Sequence, residues 1–251
     1  MQTSTSAGGW IGTLREDGGG ARLVCFPYAG GSAHVFTTWL PLLAPGVGLH
    51  AVQLPGRGRR MREPALERAD AVVAGVVEAF QQLPPRPTVF LGYSMGALIA
   101  FETARWLRRI GVPGPVMLLA AAARPPQVEG AQRLAPGTDA ELLARIRRLG
   151  GTPSAVLESR ELLDLLLPPL RADFALIDDY LYRPGAPLDC PIVAVGGDAD
   201  SAVDPALVAQ WALQTAAGFT QHTIKGGHFF LDSARAELLA IVNGSLRGVP
   251  A

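Results

Sequence analysis

The chain carries little charge and no excess of either sign. Charged residues make up 18% of its 251 residues, and 22 Lys and Arg balance 22 Asp and Glu. A nucleic-acid-binding protein needs surplus cations to displace counterions from phosphates, so this balance argues against a nucleic-acid partner. The hydrophobic fraction of 49% is too high for a disordered chain and is sufficient for one large core.

Cysteine is also scarce. Cys25 and Cys190 are too few for a disulfide framework or a thiolate zinc site, and both adjoin apolar runs, so packed reduced thiols are expected. The sequence has no H-E-x-x-H pair and no acidic calcium loop, so no metal is expected. No G-x-G-x-x-G or Walker pattern follows a strand, so no nucleotide or other cofactor is expected.

Long apolar runs are missing too. No stretch reaches the roughly 18 uninterrupted apolar residues of a membrane span. The first 20 residues lack the basic-then-apolar order of a secretion signal. We therefore expect a cytoplasmic protein without membrane contact, and a monomer is the default expectation.

Short apolar runs alternate with segments of helical period along most of the chain. The runs predict strands at residues 23–26, 49–54, 89–91, 116–119, 192–195 and 219–224, and the intervening segments predict helices at 35–43, 68–83, 97–110, 206–215 and 234–246. This pattern is typical of an α/β fold with a mostly parallel, doubly wound sheet. The sequence predicts one such core over residues 21–123 and 189–247, preceded by a flexible N-terminus over residues 1–20.

Residues 124–188 interrupt the alternation. They contain eight prolines and helix-period pieces at 139–149, 158–167 and 171–182, and no convincing strand. An insertion of about 60 residues is long for a connection between core strands, and such segments often cover a binding site. The sequence therefore predicts a helical lid, with a helical layer that only packs as the alternative.

The pattern Gly92-Tyr93-Ser94-Met95-Gly96 matches G-x-S-x-G in a specific context. It follows the predicted strand at 89–91 and opens the predicted helix at 97–110. A nucleophilic serine needs this strand-turn-helix setting, because a strained turn exposes its oxygen and flanking glycines avoid clashes. Ser94 is therefore the candidate nucleophile.

A serine hydroxyl becomes nucleophilic when a histidine takes its proton. His228 follows a predicted strand and the turn Gly226-Gly227, which places it at the carboxyl edge of the sheet. The other histidines fit less well, because His50 and His222 lie in or at strands and His34 comes too early for the chain order Ser-Asp-His. His228 is the candidate base.

The orienting acid should follow a strand and precede the histidine. Asp198, Asp200 and Asp204 all follow the strand at 192–195. Asp200 is favoured, since Asp198 lies nearer the strand end and Asp204 precedes Pro205 in the manner of a helix cap.

An oxyanion hole needs backbone N–H groups aimed at the developing negative charge. Met95, directly after the nucleophile, would supply one of them. The glycine-rich loop after the first predicted strand would supply the other, and there Ala29 is favoured over Gly30, while Pro27 has no N–H to donate.

The loop at residues 55–62 is locally basic in an otherwise neutral chain. Arg57, Arg59 and Arg60 could meet an acidic partner or a phosphate. The alternative is a solvated loop whose arginines pair with the chain's own carboxylates.

With these residues in place, the chain resembles the type II thioesterases, stand-alone α/β-hydrolases that accompany polyketide synthases and nonribosomal peptide synthetases. The resemblance rests on five segments: Phe26-Pro27-Tyr28-Ala29-Gly30-Gly31-Ser32, Gln53-Leu54-Pro55-Gly56-Arg57-Gly58, Gly92-Tyr93-Ser94-Met95-Gly96-Ala97, Leu170-Arg171-Ala172-Asp173-Phe174 and Gly226-Gly227-His228-Phe229. It implies an α/β-hydrolase fold and hydrolysis of stalled or aberrant acyl groups from the phosphopantetheine arm of acyl or peptidyl carrier proteins.

Three other functions stay open on the sequence. A general carboxylesterase or lipase would use the same three side chains. An acyltransferase would pass the acyl group to an alcohol or amine, because the sequence does not say how well the lid excludes water. A non-catalytic binding protein would use the same fold as a receptor.

Overall fold

The strands follow the apolar runs of the sequence. The structure is a computed structural model that describes residues 9–16, 18–128, 137–152 and 154–249. Its strands are β1 Ile11–Arg15, β2 Arg22–Phe26, β3 Gly48–Val52, β4 Thr88–Tyr93, β5 Met117–Ala121, β6 Ile192–Gly197 and β7 Phe219–Ile224. They form one sheet in the order β1-β3-β2-β4-β5-β6-β7, antiparallel between β1 and β3 and parallel elsewhere. The predicted mostly parallel sheet is confirmed.

Helices cover both faces of this sheet. They are α1 Ala69–Gln81, α2 Met95–Arg109, α3 Asp139–Leu149, α4 Ser154–Glu158, α5 Arg160–Asp178, α6 Pro205–Val208, α7 Phe230–Ser233 and α8 Arg235–Arg247, with 3₁₀ helices at Ala33–Trp39, Gly58–Arg60 and Ala209–Gln214. Successive residues of β2 point to opposite faces, so that Val24 packs in the core that includes α1 and α2, and Cys25 in the core that includes α8. The five residues of β2 are all buried, as in a strand covered on both sides.

The N-terminal segment differs from the expectation of a flexible end over residues 1–20. Within it, Ile11–Arg15 forms the edge strand β1, and Ile11 is fully buried. The backbone N–H groups of Gly18 and Gly20 both donate to the Gly46 carbonyl, at 3.1 Å each. A Cβ on Gly18 would lie 2.9 Å from the Cα of Gly46, so glycine allows close backbone contact there. Residues 1–8 lie outside the described residues.

The segment between β5 and β6 is helical, and its described residues contain no strand. Helix α3 has the predicted bounds, and it begins at a capping box formed by Thr138 and Glu141. The pieces predicted at 158–167 and 171–182 instead belong largely to one helix, α5, which continues through Pro168 and Pro169.

Packing explains why α5 is not broken at its prolines. A proline inside a helix costs about 3 kcal/mol, because it removes a hydrogen bond and clashes with the preceding turn. The half of α5 that follows the prolines buries Leu170, Phe174 and Leu176, and burial of such side chains stabilises by roughly 1.5–3 kcal/mol each. The half that precedes them is more open, with Leu162 44% and Leu165 59% exposed.

Among the described residues, no helix is both long and apolar enough to cross a bilayer.

Candidate active site

Ser94 occupies the turn between β4 and α2. Its backbone has φ 52° and ψ −118°, outside the regions that side-chain-bearing residues normally adopt. A Cβ on Gly92 would lie 2.3 Å from the Cα of Ala97, and one on Gly96 would lie 2.0 Å from the carbonyl oxygen of Phe26. The flanking glycines therefore permit this turn, which places Ser94 at the carboxyl edge of the sheet.

His228 brings Ser94 and Asp200 together. Its Nε2 lies 2.9 Å from the Oγ of Ser94, and its Nδ1 lies 2.8 Å from Oδ2 of Asp200. Because Asp200 accepts from Nδ1–H, we assign Nε2 as the nitrogen that accepts from the Ser94 hydroxyl. His228 is 6% and Asp200 8% exposed, so the contacts are largely shielded from water.

The three aspartates after β6 have separate partners. Asp200 contacts His228 through Oδ2, while its Oδ1 accepts from the N–H groups of Ala202 and Val203. Asp198 accepts from the N–H of Gly226, which ties the loop after β6 to the loop that carries His228. Asp204 caps α6, as its position before Pro205 predicts.

The backbone of His228 is held by Tyr93, a contact that the sequence alone does not predict. The Tyr93 hydroxyl donates to the His228 carbonyl at 2.6 Å and accepts from the N–H of Leu231 at 3.1 Å. Burial raises the pKa of this hydroxyl above its ordinary value, so it keeps its proton and remains a donor. No sequence signal links the two residues, since 135 positions separate them.

The backbone around Ser94 contains two candidate donors to an oxyanion. Met95 is the first residue of α2, so its N–H has no intrahelical acceptor and lies at the positive end of the helix dipole. In the loop after β2, Gly30 donates to Oδ2 of Asp173 at 2.7 Å and Gly31 donates to the Tyr28 carbonyl at 2.8 Å. The first of these contacts engages the N–H of Gly30, which leaves Ala29 as the candidate for the second oxyanion donor.

Two of the three loop arginines are buried. Arg57 forms a forked ion pair with Asp173, and Arg60 pairs with Glu63 and stacks over the ring of Trp10. Arg57 is 6% and Arg60 8% exposed. Buried, paired guanidinium groups are not available to a docking partner, so the structure corrects the docking prediction for both and favours pairing with the chain's own carboxylates. Arg59 is exposed, and for it docking stays a prediction.

The arrangement as a whole is suited to acyl transfer through a serine nucleophile. A histidine held by a carboxylate can take the hydroxyl proton, and N–H groups at a helix N-terminus can stabilise an oxyanion. Among the described residues, no three His, Cys, Asp or Glu side chains converge so as to hold a metal ion.

Comparisons with known proteins point to one family. The model of the Thioesterase domain matches residues 21–246. The chain is 38% identical to the gramicidin S biosynthesis protein GrsT of Aneurinibacillus migulanus over 229 residues, which cover 90% of this chain and 89% of GrsT. It is 38% identical to Thioesterase PikA5 of Streptomyces venezuelae over 233 residues, 91% of this chain and 83% of PikA5. Among solved structures, the type II thioesterase BorB from the borrelidin biosynthetic cluster superposes with a TM-score of 0.87 at 35% identity, covering 98% of this chain and 100% of BorB.

Proposed function

The chain belongs to the thioesterase domain family, and from this premise we propose that it removes stalled or aberrant acyl groups from carrier proteins. The substrate is an acyl thioester on the phosphopantetheine arm of an acyl or peptidyl carrier protein of a polyketide synthase or nonribosomal peptide synthetase. The similarity to the gramicidin S biosynthesis protein GrsT and to the type II thioesterase BorB supports this assignment. The observation that carries it is the chain of contacts from Asp200 through His228 to Ser94.

In the proposed mechanism, Ser94 Oγ attacks the thioester carbonyl while His228 Nε2 takes its proton. The carbonyl oxygen becomes an oxyanion, which accepts hydrogen bonds from the N–H groups of Met95 and Ala29. The C–S bond then breaks, the proton on His228 goes to the departing sulfur, and the acyl group remains as an ester on Ser94.

A water molecule completes the cycle. His228 takes a proton from the water, and the water oxygen adds to the carbonyl carbon of the acyl group. When this second tetrahedral intermediate collapses, the bond to Ser94 Oγ breaks and His228 returns the proton to Ser94 Oγ. The products are a free acid and the carrier's thiol. Asp200 keeps His228 in the reactive tautomer and stabilises its charged form through both steps.

The helical insertion is proposed to act as a lid over the acyl chain. Helices α3 and α5 share an apolar cluster that contains Leu142, Ile146, Leu170 and Phe174, and Ala29 packs against this cluster. The insertion therefore contacts the loop that would bind the oxyanion. An acyl chain attached to Ser94 would find apolar surface next to the reacting carbonyl.

Carrier docking is proposed to involve Arg59. Its side chain is exposed on the loop that follows β3, at the same edge of the sheet as Ser94. The charge reversal R59E should raise KM for a carrier-bound substrate and leave KM for a small thioester unchanged, because only the carrier presents an acidic surface. The control is R247E at the far end of α8, which should change neither value; equal effects of R59E on both substrates would reject docking.

The substrate class is tested with one acyl group on three supports: a phosphopantetheinylated carrier protein, N-acetylcysteamine, and an oxygen ester of similar size. The proposal predicts that kcat/KM for the carrier thioester exceeds that for the oxygen ester at least about tenfold. Equal or faster cleavage of the oxygen ester would instead indicate a general carboxylesterase. A covalent serine probe that fails to label Ser94 would indicate a binding protein.

A further inference from the structure

The forked ion pair between Arg57 and Asp173 is among the most buried charge contacts in the described structure. Asp173, on α5, is 1% exposed, and Arg57, on the loop after β3, is 6% exposed. The Nη2 of Arg57 lies 2.8 Å from Oδ1 of Asp173, and its Nη1 contacts Oδ2. The pair thus joins the helical insertion to the sheet.

Asp173 also holds the loop proposed to bind the oxyanion. Its Oδ2 accepts the N–H of Gly30 at 2.7 Å, beside the Arg57 contact. Gly30 has φ +79°, and a Cβ there would lie 2.7 Å from a methyl carbon of Leu170. The peptide between Ala29 and Gly30 is therefore held by the Asp173 carboxylate and lies close to the Leu170 side chain of α5.

Gln53 supports the same loop from its other end. Its Oε1 accepts the N–H of Ala33 at 3.2 Å, and its Nε2 donates to the Arg57 carbonyl at 2.9 Å. The backbone that carries Arg57 and the loop after β2 consequently form one connected network.

Stability alone is a weak reason for such a pair. The desolvation of two buried charges often cancels their attraction, and apolar replacements of similar volume are frequently neutral. What an apolar pair cannot supply is an acceptor for the N–H of Gly30, and that N–H lies one residue from the proposed donor of Ala29.

We propose that Asp173, oriented by Arg57, is a positioning residue that sets the direction of the Ala29 N–H toward the oxyanion. The inference rests on the proposed function of Ser94 and Ala29 as nucleophile and donor. Asp173 engages the competing N–H of Gly30 and fixes the peptide that follows Ala29. Because Asp173 belongs to α5, displacement of this helix would also release the donor.

The test separates positioning from stability with two variants. The double variant R57M/D173L replaces both charged side chains with apolar ones, so it leaves no buried unpaired charge, but it removes the acceptor of Gly30. D173N keeps the shape of the side chain, but its amide has one acceptor oxygen instead of two, so it cannot keep both the forked contact with Arg57 and the contact with Gly30. This variant serves if the double variant does not fold.

The matched control is D178N on the same helix. Asp178 is paired with Arg145 of α3 at 3.3 Å, and within the described part of the chain neither side chain has a hydrogen bond or ion pair to the loop after β2. Burial raises the pKa of the Asp178 carboxyl, so the folded protein does not favour its charge and the neutral amide should be tolerated. D178N therefore disturbs an ion pair of α5 without touching the acceptor of Gly30.

The readouts are thermal stability, kcat and KM for a small thioester, and the inhibition constant of an alkylboronic acid. The boronate adds to Ser94 Oγ, His228 takes the released proton, and the resulting tetrahedral anion occupies the oxyanion position without any thioester. We expect R57M/D173L and D173N to raise this constant and to lower kcat by about ten- to a hundredfold, with KM changed by no more than about twofold.

D178N should match the wild type in both the boronate constant and kcat. A folded R57M/D173L variant that binds the boronate like the wild type would overturn the inference. The inference would also be overturned if D173N and D178N lost activity to the same extent and in proportion to the decrease in Tm of each variant. A wild type that binds the boronate but does not cleave carrier thioesters would refute only the proposed substrate, because the comparison of boronate constants does not use a carrier thioester.

Discussion

The strained backbone of Ser94 shows, at the residue scale, how the site departs from ordinary local preferences. A side-chain-bearing residue at φ 52° and ψ −118° costs on the order of 1–3 kcal/mol. The surrounding glycines and the buried strand β4 impose this conformation. The strain holds the hydroxyl toward His228, so function and stability make opposite demands on this position.

Two substitutions separate these demands. Ser94→Ala and Ser94→Gly should each lower kcat for a thioester at least about 10³-fold, because both remove the nucleophile. Ser94→Gly should be about 1 kcal/mol more stable than Ser94→Ala in urea unfolding, since glycine adopts positive φ without strain. Equal stabilities would contradict the strain, and retained turnover would contradict the role of the serine.

Tyr93→Phe tests the support of His228. The variant leaves the His228 carbonyl and the Leu231 N–H without their buried partner, which should cost about 1–3 kcal/mol. It should also lower kcat about tenfold through displacement of His228, with little change in KM. Tyr182→Phe removes a longer hydroxyl contact of 3.3 Å to Gln214 and serves as the control. A stable, fully active Tyr93→Phe enzyme would show that His228 is held by other contacts.

The sequence predicts those site residues whose signal is local. Ser94 is predicted from its immediate neighbours, and His228 and Asp200 from their order after predicted strands. Tyr93 and Asp173 are not predicted to have their supporting roles, because their partners are distant in the chain. Contacts of this kind depend on packing between elements, which single-sequence patterns do not encode.

At the element scale, the position of helix α2 depends on its close contact with the end of β2. Gly96 lies in the first turn of α2, where its Cα approaches the carbonyls of Phe26 and Pro27. This contact brings the elbow and the loop after β2 side by side. It thereby places Met95 and Ala29, the two proposed donors, within one site.

Gly96→Ala should be destabilising although alanine is the better helix former. Helix propensity alone predicts a gain of about 1 kcal/mol. The new Cβ, however, would lie 2.0 Å from a backbone oxygen, and overpacking costs about 1–3 kcal/mol or more, with the larger values expected where the neighbour is backbone that cannot move aside. Gly114→Ala, where the nearest atom lies at 3.9 Å, should change the unfolding free energy by less than about 0.5 kcal/mol. Urea unfolding of both variants decides, and a neutral Gly96→Ala would refute the contact.

The two elements that the sequence misplaces have different physical causes. Strand β1 is a short edge strand paired on one side, so its apolar signal is weak. Helix α5 continues through Pro168 and Pro169 because the tertiary contacts of Leu170 and Phe174 outweigh local propensity. The parallel strands inside the sheet, in contrast, have short, nearly continuous apolar runs and are predicted within a few residues.

At the scale of the whole molecule, the buried phenols and thiols make stability depend on alkaline pH. Burial raises the pKa of Tyr28 to about 12, with Asp232 as a second cause, and that of Cys190 to about 11. Burial also raises the pKa of Cys25 and Tyr93. In the unfolded chain these groups lose their protons at lower pH. Between the pKa of each group in the unfolded chain and its raised pKa in the folded protein, the folded state therefore binds more protons.

The free energy of unfolding should therefore fall as pH rises from about 8.5, the ordinary pKa of a thiol in an unfolded chain, toward about 11. Urea unfolding at pH 8, 9.5 and 11 measures this trend. Cys190→Ala should flatten part of the decrease, because it removes one of the groups with a raised pKa. A stability that stays constant or increases over this range would contradict the burial of these groups.

Ser94 is proposed to accept an acyl group from a carrier-bound thioester. Intact-protein mass spectrometry of an acyl-loaded carrier protein, incubated with the wild type and with Ser94→Ala, tests it most directly. We expect the acyl mass to disappear from the carrier with the wild type and to persist with Ser94→Ala. Loss of the acyl mass with both proteins, or with neither, would contradict the account.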